Sequence, residues 1–485
     1  MDLELVYKQL EEYRDEMAAS LSRLISIPSV AVRTKGAAPF GENVDKAYRT
    51  MLEMAVEEGF IPCDLDGFGG HFDFPGTGDG LMGILGHLDV VPEGDGWDFE
   101  PYGGEIIDGY VCGRGAMDDK GPMMACFYAM KALKKCGFIP DKTIRMILGL
   151  DEETNWDGMS HYVAFADRLP DCGFTPDADF PVIHGEKGFL IFDIARKFGR
   201  STAEGLQLRS ISGGSAANCV ADHARAVITD TAGGGYDDIR QLIDELKESR
   251  GWQIRTKGVG KSLEITAEGI SAHGSKPEMG LNAISIIMEV LGHLNFVNDD
   301  IAEFIKFYNE HIAFEFHGES IGCAFEDEKS GKLVWNVGKI DLDQKSATIT
   351  VNVRYPVSFE AEQIYSGIMT VLDPFDLGIV KVKHHRPIYI PGDDLMVQKL
   401  MDIYRSHTGD TESQPMVIGG GTYARAMDNI VAFGARFPGE PELEHQRNEK
   451  ISIENLMRLS RIYADAICQL AGEGQKKAPV EESES

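Results

Sequence analysis

The sequence predicts an α/β domain that is interrupted by an inserted α+β domain. In residues 1–188, short apolar segments alternate with amphipathic helices, a pattern typical of a mainly parallel sheet covered by helices. In residues 189–388, strands of alternating polarity are mixed with helices. The first pattern returns in residues 389–485, so we expect the two outer segments to form one domain. With 485 residues, the chain is also too long for a single compact core.

Apolar runs and helix signals define the elements of the first segment. Residues 81–85 (LMGIL) and 143–150 (TIRMILGL) are short and continuously apolar, which indicates buried strands. Between them, GPMMACFYAMKALKKCG predicts a helix, with Pro122 in its first turn and Gly137 just beyond its end. Near the N-terminus, one long amphipathic helix is expected to end at Pro28.

The middle and last segments are assigned in the same way. SLEITAEG and ATITVNVRYP predict strands, whereas DDIRQLIDELKESRG and NAISIIMEVLGHL predict amphipathic helices. A long helix is expected from about Ser452 to about Leu470. The C-terminal segment GEGQKKAPVEESES is polar, and it is expected to be disordered from about residue 473.

Composition excludes several classes of protein. The formal net charge of −31 leaves no surplus of Lys and Arg for phosphates, so no nucleic-acid partner is expected. No apolar run approaches the roughly 20 residues that span a bilayer, so no membrane partner is expected. The first residues show no basic segment followed by an apolar one, and the eight cysteines form no CxxC pair. We therefore expect a cytoplasmic protein with reduced thiols.

Acidic side chains cluster where strands of the α/β segment end. In open α/β sheets, functional groups collect beyond the carboxyl ends of the strands. His, Asp and Glu are the ligands that zinc, manganese or cobalt accept. The segments concerned are His87 and Asp89, Asp151 to Glu153, Asp118 and Asp119 before a helix, and Asp177 and Asp179.

Two of these segments suggest a division of labour. In an extended His87-Leu88-Asp89 segment both polar side chains face the same way. One of them can therefore bind a metal ion while the other orients that ligand. Glu152 and Glu153, if extended, would face opposite ways and supply a general base and a ligand. Each segment alone is more often a solvated turn or a helix cap. Their convergence on one α/β unit favours a metal site.

Seven segments carry a further signal, in this order along the chain: GHLDVVP, GRGAMDDKGP, DEETNW, TPDAD, SAHGSKP, GGGTYARAM and EHQRNEKI. They resemble the motifs of a known di-zinc peptidase family. That family includes aminoacylases, acetylornithine deacetylases, succinyl-diaminopimelate desuccinylases, carnosinases and bacterial dipeptidases, and the chain is most similar to the dipeptidase V branch. The resemblance spans nearly the whole sequence and implies a zinc-peptidase-like catalytic domain with an inserted lid.

The resemblance implies two divalent metal ions per chain, zinc first, with manganese or cobalt as alternatives. Asp118 would bridge the two ions. His87 and Asp177 would complete one site, and Glu153 and His445 the other. Structures of the family also have a cis peptide bond after the bridging aspartate, here between Asp118 and Asp119.

Further roles follow from the same motifs. Glu152 would act as general base and acid, and Asp89 would hold the His87 imidazole. His273, in the inserted lid, would stabilise the oxyanion, so that one chain could supply it and a monomer is expected. Substrate-binding roles are implied for Asn218, for Arg354, and for the glycine-rich turn with Gly420, Gly421 and Thr422.

The expected activity is metal-dependent hydrolysis of dipeptides or short peptides. Two relatives of this chemistry remain open at the level of sequence, an N-acyl amino acid deacylase and a carboxypeptidase. A third possibility belongs to another class, a catalytically silent homologue that binds or assembles. The complete set of candidate ligands and the intact Glu152 argue against that last possibility.

Overall fold

The computed structural model describes residues 1–472, and the tail expected to be disordered from about residue 473 lies outside the described residues. No helix within this range is both long and apolar enough to cross a membrane. The α-helices of residues 1–472 are α1 Leu3–Glu12, α2 Arg14–Ile25, α3 Glu42–Glu57, α4 Lys120–Lys135, α5 Asp157–Phe165, α6 Asp237–Arg250, α7 Ala283–Gly292, α8 Asp299–His311, α9 Ala361–Leu372, α10 Leu395–Thr408 and α11 Ile453–Ala471.

The strands of the same range differ in length from two to ten residues. They are β1 Ile61–Asp64, β2 Gly70–Phe74, β3 Leu81–His87, β4 Ile106–Ile107, β5 Tyr110–Cys112, β6 Thr143–Gly149, β7 Cys172–Thr175, β8 Ala178–Asp179, β9 Ile183–Glu186, β10 Gly188–Lys197, β11 Leu206–Gly213, β12 His223–Asp230, β13 Gln253–Val259, β14 Ser262–Glu268, β15 Glu326–Asp327, β16 Gly331–Lys332, β17 Val334–Asp343, β18 Ser346–Tyr355, β19 Gly378–His385, β20 Ile388–Tyr389, β21 Met416–Ile418, β22 Ile430–Ala432, β23 Ala435–Arg436 and β24 Lys450–Ser452.

The chain forms two compact units, each with its own hydrophobic core. Unit 1 contains Met1–Gly185, Tyr389–Met416 and the chain from Gly421. Unit 2 contains Glu186–Ile388 and the short segment Val417–Gly420. The sequence assigned that short segment to the second part of the α/β domain. The domain boundaries expected from the sequence stay a prediction.

Unit 1 is built on a mixed sheet with the strand order β1-β2-β6-β3-β7-β22-β9-β20. The central strands β6, β3, β7 and β22 run parallel, whereas β1, β2 and β9 pair antiparallel with their neighbours. Every residue of β3 is buried, which is typical of a central parallel strand. The mainly parallel sheet predicted from the sequence is therefore confirmed.

Helix α4 illustrates how sequence signals set an element of unit 1. It begins at Lys120, Pro122 lies in its first turn, and Gly137 adopts a φ of +80° just beyond its end, as predicted. The helix packs against α11, α2 and β3. Nearly every side chain of α4 is buried, and so it holds the loop that precedes it against the sheet.

Unit 2 is an α+β unit, as the sequence predicts. Its eight-stranded sheet has the order β13-β14-β12-β11-β17-β18-β10-β19, and all neighbours pair antiparallel. The same unit contains the helices α6, α7, α8 and α9. Strands β14 and β18 and helices α6 and α7 coincide with the segments predicted from their polarity patterns.

The N-terminal helix differs from the prediction. It consists of α1 and α2, separated at Tyr13, and α2 ends at Ile25 rather than at Pro28. Tyr13 itself keeps near-helical angles, with φ −90° and ψ 0°. The interruption is thus a single residue that polarity alone does not reveal.

A buried histidine gives unit 1 a pH dependence that can be measured. His71 on β2 is 4% exposed, and its Nδ1 lies 2.9 Å from the Tyr162 hydroxyl. Burial and the charge of Arg145 lower the pKa of His71 to about 4. Because this pKa lies below the unfolded value of about 6.5, its contribution to stability is complete above pH 6.5 and is lost as the pH falls through 4.

We therefore expect His71→Gln to flatten the acid dependence of thermal unfolding. Glutamine stays uncharged over this pH range, so no buried imidazole must be kept neutral. His71 is expected to change the free energy of unfolding by about 3 kcal/mol between pH 6.5 and 4, and this change should be absent in the variant. The exposed His223→Gln is the matched control. An equal fall of Tm with pH in the wild type and His71→Gln would contradict the assignment.

Candidate metal centre

Three predicted ligands from separate parts of unit 1 come together at one edge of its sheet. Donor atoms of His87, Asp118 and Glu153 all lie within 4.8 Å of one another. His87 is the last residue of β3, Glu153 lies in the turn after β6, and Asp118 lies in the loop before α4. Since β3 and β6 are parallel neighbours, their carboxyl ends meet at this edge.

The His87 imidazole faces the acidic cluster with one nitrogen and its own segment with the other. Its Nε2 lies 2.9 Å from Oδ1 of Asp118 and 3.7 Å from Oδ2 of Asp177. Its Nδ1 lies 3.0 Å from the backbone oxygen of Asp89 and 3.5 Å from the Asp89 carboxylate. The Asp89 backbone oxygen, more than its carboxylate, therefore holds the ring.

His445 approaches the cluster from the opposite end of the chain. Its Nε2 lies 2.9 Å from Oδ2 of Asp118 and 2.9 Å from Oε1 of Glu153. The residue has a φ of +62° and a side chain that is 52% exposed. The Asp118 carboxylate thus lies between two imidazoles, with one oxygen toward His87 and the other toward His445.

The contacts divide the predicted ligands into two groups that share Asp118. His87 is close to Asp177, and His445 is close to Glu153. Asp177 follows β7, the other parallel neighbour of β3. This grouping is the one that the family motifs imply. The donors are imidazole nitrogens and carboxylate oxygens, which suit zinc, manganese or cobalt.

The segment with Glu152 and Glu153 is a turn, so the expectation of an extended segment is wrong. The Asp89 carboxylate fixes this turn, because it accepts the backbone N–H of Glu152 and of Glu153, each at 3.1 Å. The indole of Trp156 donates to the backbone oxygen of Glu152 at 2.6 Å. The two glutamates are therefore oriented by backbone hydrogen bonds rather than by strand alternation.

Burial and mutual repulsion shift the acidity of the carboxyl groups. Burial and the charge of Asp118 raise the pKa of Asp177 to about 7. Burial, with the charge of Asp177 added, raises the pKa of Glu152 well above its usual value, and burial also raises the pKa of Glu153. Burial acts in the same direction on Asp118, but hydrogen bonds from His445 and His87 hold its pKa well below its usual range.

The pKa values of the two imidazoles are raised as well, because the carboxylates around them favour the charged form. Hydrogen bonds to Asp118 and Glu153 raise the pKa of His445 to about 11. Burial by itself would lower the pKa of His87, but its hydrogen bonds with Asp118 and Asp89 raise it well above the usual value. Positive charge is thus strongly favoured at this point, and divalent cations would supply it.

Asp119 supports His87 and is not among the clustered donors. Its buried Oδ2 accepts the backbone N–H of His87 at 3.2 Å. A Cβ on Gly86 would lie 2.3 Å from that oxygen, so glycine is required there. Asp119 is the N-cap residue of α4, but its side chain makes no capping hydrogen bond to the helix. The Asp118–Asp119 peptide is cis, as predicted.

Other side chains near the cluster were not found from the sequence. Tyr423 is buried with its ring 6.1 Å from that of His87 and 5.1 Å from that of Trp156, in edge contact with both. Arg436 binds both oxygens of Asp179, at 2.7 and 3.0 Å, which keeps that acidic residue apart from the ligand group. Tyr423 belongs to the GGGTYARAM motif, but nothing in its spacing indicates contact with a histidine.

Unit 2 holds His273, Asn218 and Arg354. The backbone oxygen of Asn218 accepts the N–H of Gly274 at 2.7 Å, so the loops that carry Asn218 and His273 are joined. His273 Nδ1 lies 2.6 Å from the Ser275 hydroxyl.

Arg354, on β18, is buried. Its Nε donates to Asn352 at 3.0 Å, and its guanidinium lies 4.6 Å from the centre of the Phe189 ring. These contacts hold the arginine in place. They do not test the substrate-binding role expected for it.

The glycine-rich turn is divided between the units. Gly420 belongs to unit 2, and Gly421 and Thr422 belong to unit 1. The Thr422 hydroxyl accepts the N–H of Ala424 at 3.2 Å and caps the start of the short 3₁₀ helix Tyr423–Ala426. The carboxylate-binding role expected for this turn stays a prediction.

Comparison with known proteins places the whole chain in a family. The chain matches the Peptidase family M20/M25/M40 over residues 83–469. It is 35% identical over 475 residues to "Putative dipeptidase SH1171" of Staphylococcus haemolyticus, covering 96% of this chain and 99% of that protein.

Two solved structures have a similar fold. Human carnosine dipeptidase 1 has a TM-score of 0.58 at 17% identity, over 97% of this chain and 99% of that one. The di-peptidase Dug1p of Saccharomyces cerevisiae has a TM-score of 0.55 at 14% identity, over 98% and 99%. The match to the family model and the 35% identical relative confirm the family expected from the motifs, and this chain belongs to the Peptidase family M20/M25/M40.

Proposed function

We propose that the chain hydrolyses the peptide bond of dipeptides or short peptides with the help of two divalent metal ions, zinc first. The observation that carries the proposal is the position of the Asp118 carboxylate, which offers one oxygen to the group of His87 and the other to that of His445. The Staphylococcus haemolyticus relative is named a putative dipeptidase, and its similarity to this chain extends over nearly its whole length. This similarity supports the substrate class.

The ligands would be His87, Asp118, Asp177, Glu153 and His445. When bound, the ions would make a shared water more acidic and polarise the carbonyl group of the substrate. The remaining work falls to Glu152. Its carboxylate would take a proton from the attacking water as the new C–O bond forms. It would then return that proton to the amine nitrogen as the C–N bond breaks.

The environment of Glu152 suits this exchange. Burial raises the pKa of the Glu152 carboxyl, so this group holds a proton more strongly than an exposed glutamate and is suited to take one up and return it. Asp89 fixes the backbone of Glu152 and of Glu153 with its carboxylate and faces His87 with its backbone oxygen. One aspartate therefore orients the proposed base and two proposed ligands.

The roles expected for the residues of unit 2 remain predictions. His273 is proposed to stabilise the oxyanion, and Asn218 and Arg354 to bind substrate oxygens. Zinc is proposed first because the motifs resemble those of a di-zinc peptidase family. Imidazole and carboxylate ligands accept manganese and cobalt as well, so these two metals are the alternatives.

The bridging role of Asp118 predicts how metal content changes. We expect Asp118→Asn to lose most of both metals, because an amide cannot offer two anionic oxygens. Asp119→Asn is the matched control, since it makes the same substitution at the next residue and its amide oxygen can still accept the His87 N–H. Inductively coupled plasma mass spectrometry on zinc-reconstituted, desalted protein measures the content. Equal metal loss in the two variants would contradict the bridge.

The role of Glu152 predicts a loss of turnover without a loss of metal. We expect Glu152→Gln to retain its zinc and to reduce kcat by about 10³-fold, within the range for a general acid–base residue. The exposed Glu57→Gln serves as the surface control. Turnover of Glu152→Gln near that of the wild type would remove Glu152 from the mechanism.

The substrate class is tested by a panel of compounds on the zinc-loaded enzyme. Unblocked dipeptides are expected to give the highest kcat/KM, followed by longer peptides. N-acetyl amino acids test the deacylase alternative, and peptides with a blocked N-terminus and free C-terminus test the carboxypeptidase alternative. A higher kcat/KM for either of those two classes would replace the dipeptide assignment. A chain that takes up no zinc on reconstitution and hydrolyses none of these compounds would indicate a catalytically silent homologue.

A further inference from the structure

Glu449 is a buried carboxylate that the proposed reaction does not use. It belongs to the EHQRNEKI motif, four residues after His445 and directly before β24, and its relative exposure is 0%. A buried carboxylate is costly unless it is hydrogen-bonded or paired with a positive charge. Its contacts therefore indicate what it stabilises.

Four hydrogen bonds satisfy the two oxygens of Glu449. Oε2 accepts from the Arg114 guanidinium at 2.7 Å and from the Gly115 N–H at 3.1 Å. Oε1 accepts from the N–H of Met117 at 2.8 Å and of Asp118 at 3.2 Å. All four donors lie in the short loop 114–118, which ends at the proposed bridging ligand.

The bond to the Asp118 N–H acts on the backbone from which the bridging carboxylate extends. The backbone oxygen of Glu449 also accepts the N–H of Gly113, at 2.9 Å. Arg114 adds a bond to the backbone oxygen of Gln446 at 3.1 Å, beside His445. The loop of Asp118 is therefore tied to the segment that carries His445 by bonds at both of its ends.

We propose that Glu449 is a positioning residue that places the Asp118 carboxylate between the imidazoles of His87 and His445. The inference rests on the proposed function, because it concerns the metal site proposed there. Charge-assisted hydrogen bonds to backbone N–H groups are short and strong. Groups that orient metal ligands typically change metal affinity by 10–100-fold when they are replaced.

The structure separates this role from that of an ordinary buried ion pair. Only Oε2 contacts Arg114, whereas Oε1 serves the backbone of Met117 and Asp118. Glu449→Gln leaves a single carboxamide oxygen for four donors and turns an amide toward two of them. Arg114→Lys keeps a positive charge near Oε2 and leaves the bonds to Met117 and Asp118 in place, so it is the matched control.

The experiment measures zinc affinity of the metal-stripped full chain by competition with a chromophoric chelator, with Tm of the metal-free protein as a second readout. We expect Glu449→Gln to bind zinc 10–100-fold more weakly than the wild type. Arg114→Lys is expected to lower Tm but to change zinc affinity by less than about threefold. Glu449→Asp, which keeps the charge but shortens the reach, is expected to give an intermediate affinity.

Each outcome decides the question. Unchanged zinc affinity in Glu449→Gln, or an equal loss in Arg114→Lys, would overturn the inference. If Glu449→Gln does not fold, Glu449→Asp decides, and wild-type zinc affinity in that variant would overturn it. A wild-type chain that binds no zinc would instead overturn the proposed function. The two failures are therefore distinguishable without an activity assay.

Discussion

The placement of one carboxylate between two imidazoles is the interaction on which the rest of this site depends. Asp118 directs one oxygen to His87 and the other to His445, although the three residues come from a strand end, a loop before a helix and a distant C-terminal loop. The parallel strands bring the ends of β3, β6 and β7 to one edge. Helix α4, packed against α11, holds the loop of Asp118 there.

The same arrangement concentrates negative charge in a buried place. Burial and repulsion raise the pKa of Asp177 to about 7 and that of Glu152 well above its usual value, so the cluster is costly without compensating cations. Backbone hydrogen bonds keep it in place nonetheless. Asp89 fixes the turn of Glu152 and Glu153, and Glu449 fixes the loop of Asp118. The ligands are thus held by groups that do not themselves join the cluster.

Much of this could be predicted from the sequence, because strand ends and helix starts are local signals. The continuously apolar strand β3 and the start and end signals of α4 predicted that His87 and Asp118 lie beside the sheet. Contacts between distant segments could not be predicted in this way. Nothing local to Glu449 indicates that its carboxylate accepts four hydrogen bonds from residues 114–118, and the turn at Glu152 looked like an extended segment. Nothing local to Asp119 indicates that its side-chain oxygen accepts the backbone N–H of His87 either.

The central claim is that the two oxygens of Asp118 bind two different metal ions. Anomalous diffraction at the zinc absorption edge, from crystals of the zinc-loaded chain, tests it most directly. The account predicts two anomalous peaks, one bonded to Asp118, His87 and Asp177 and the other to Asp118, Glu153 and His445. A single peak, or two peaks of which only one is bonded to Asp118, would contradict it.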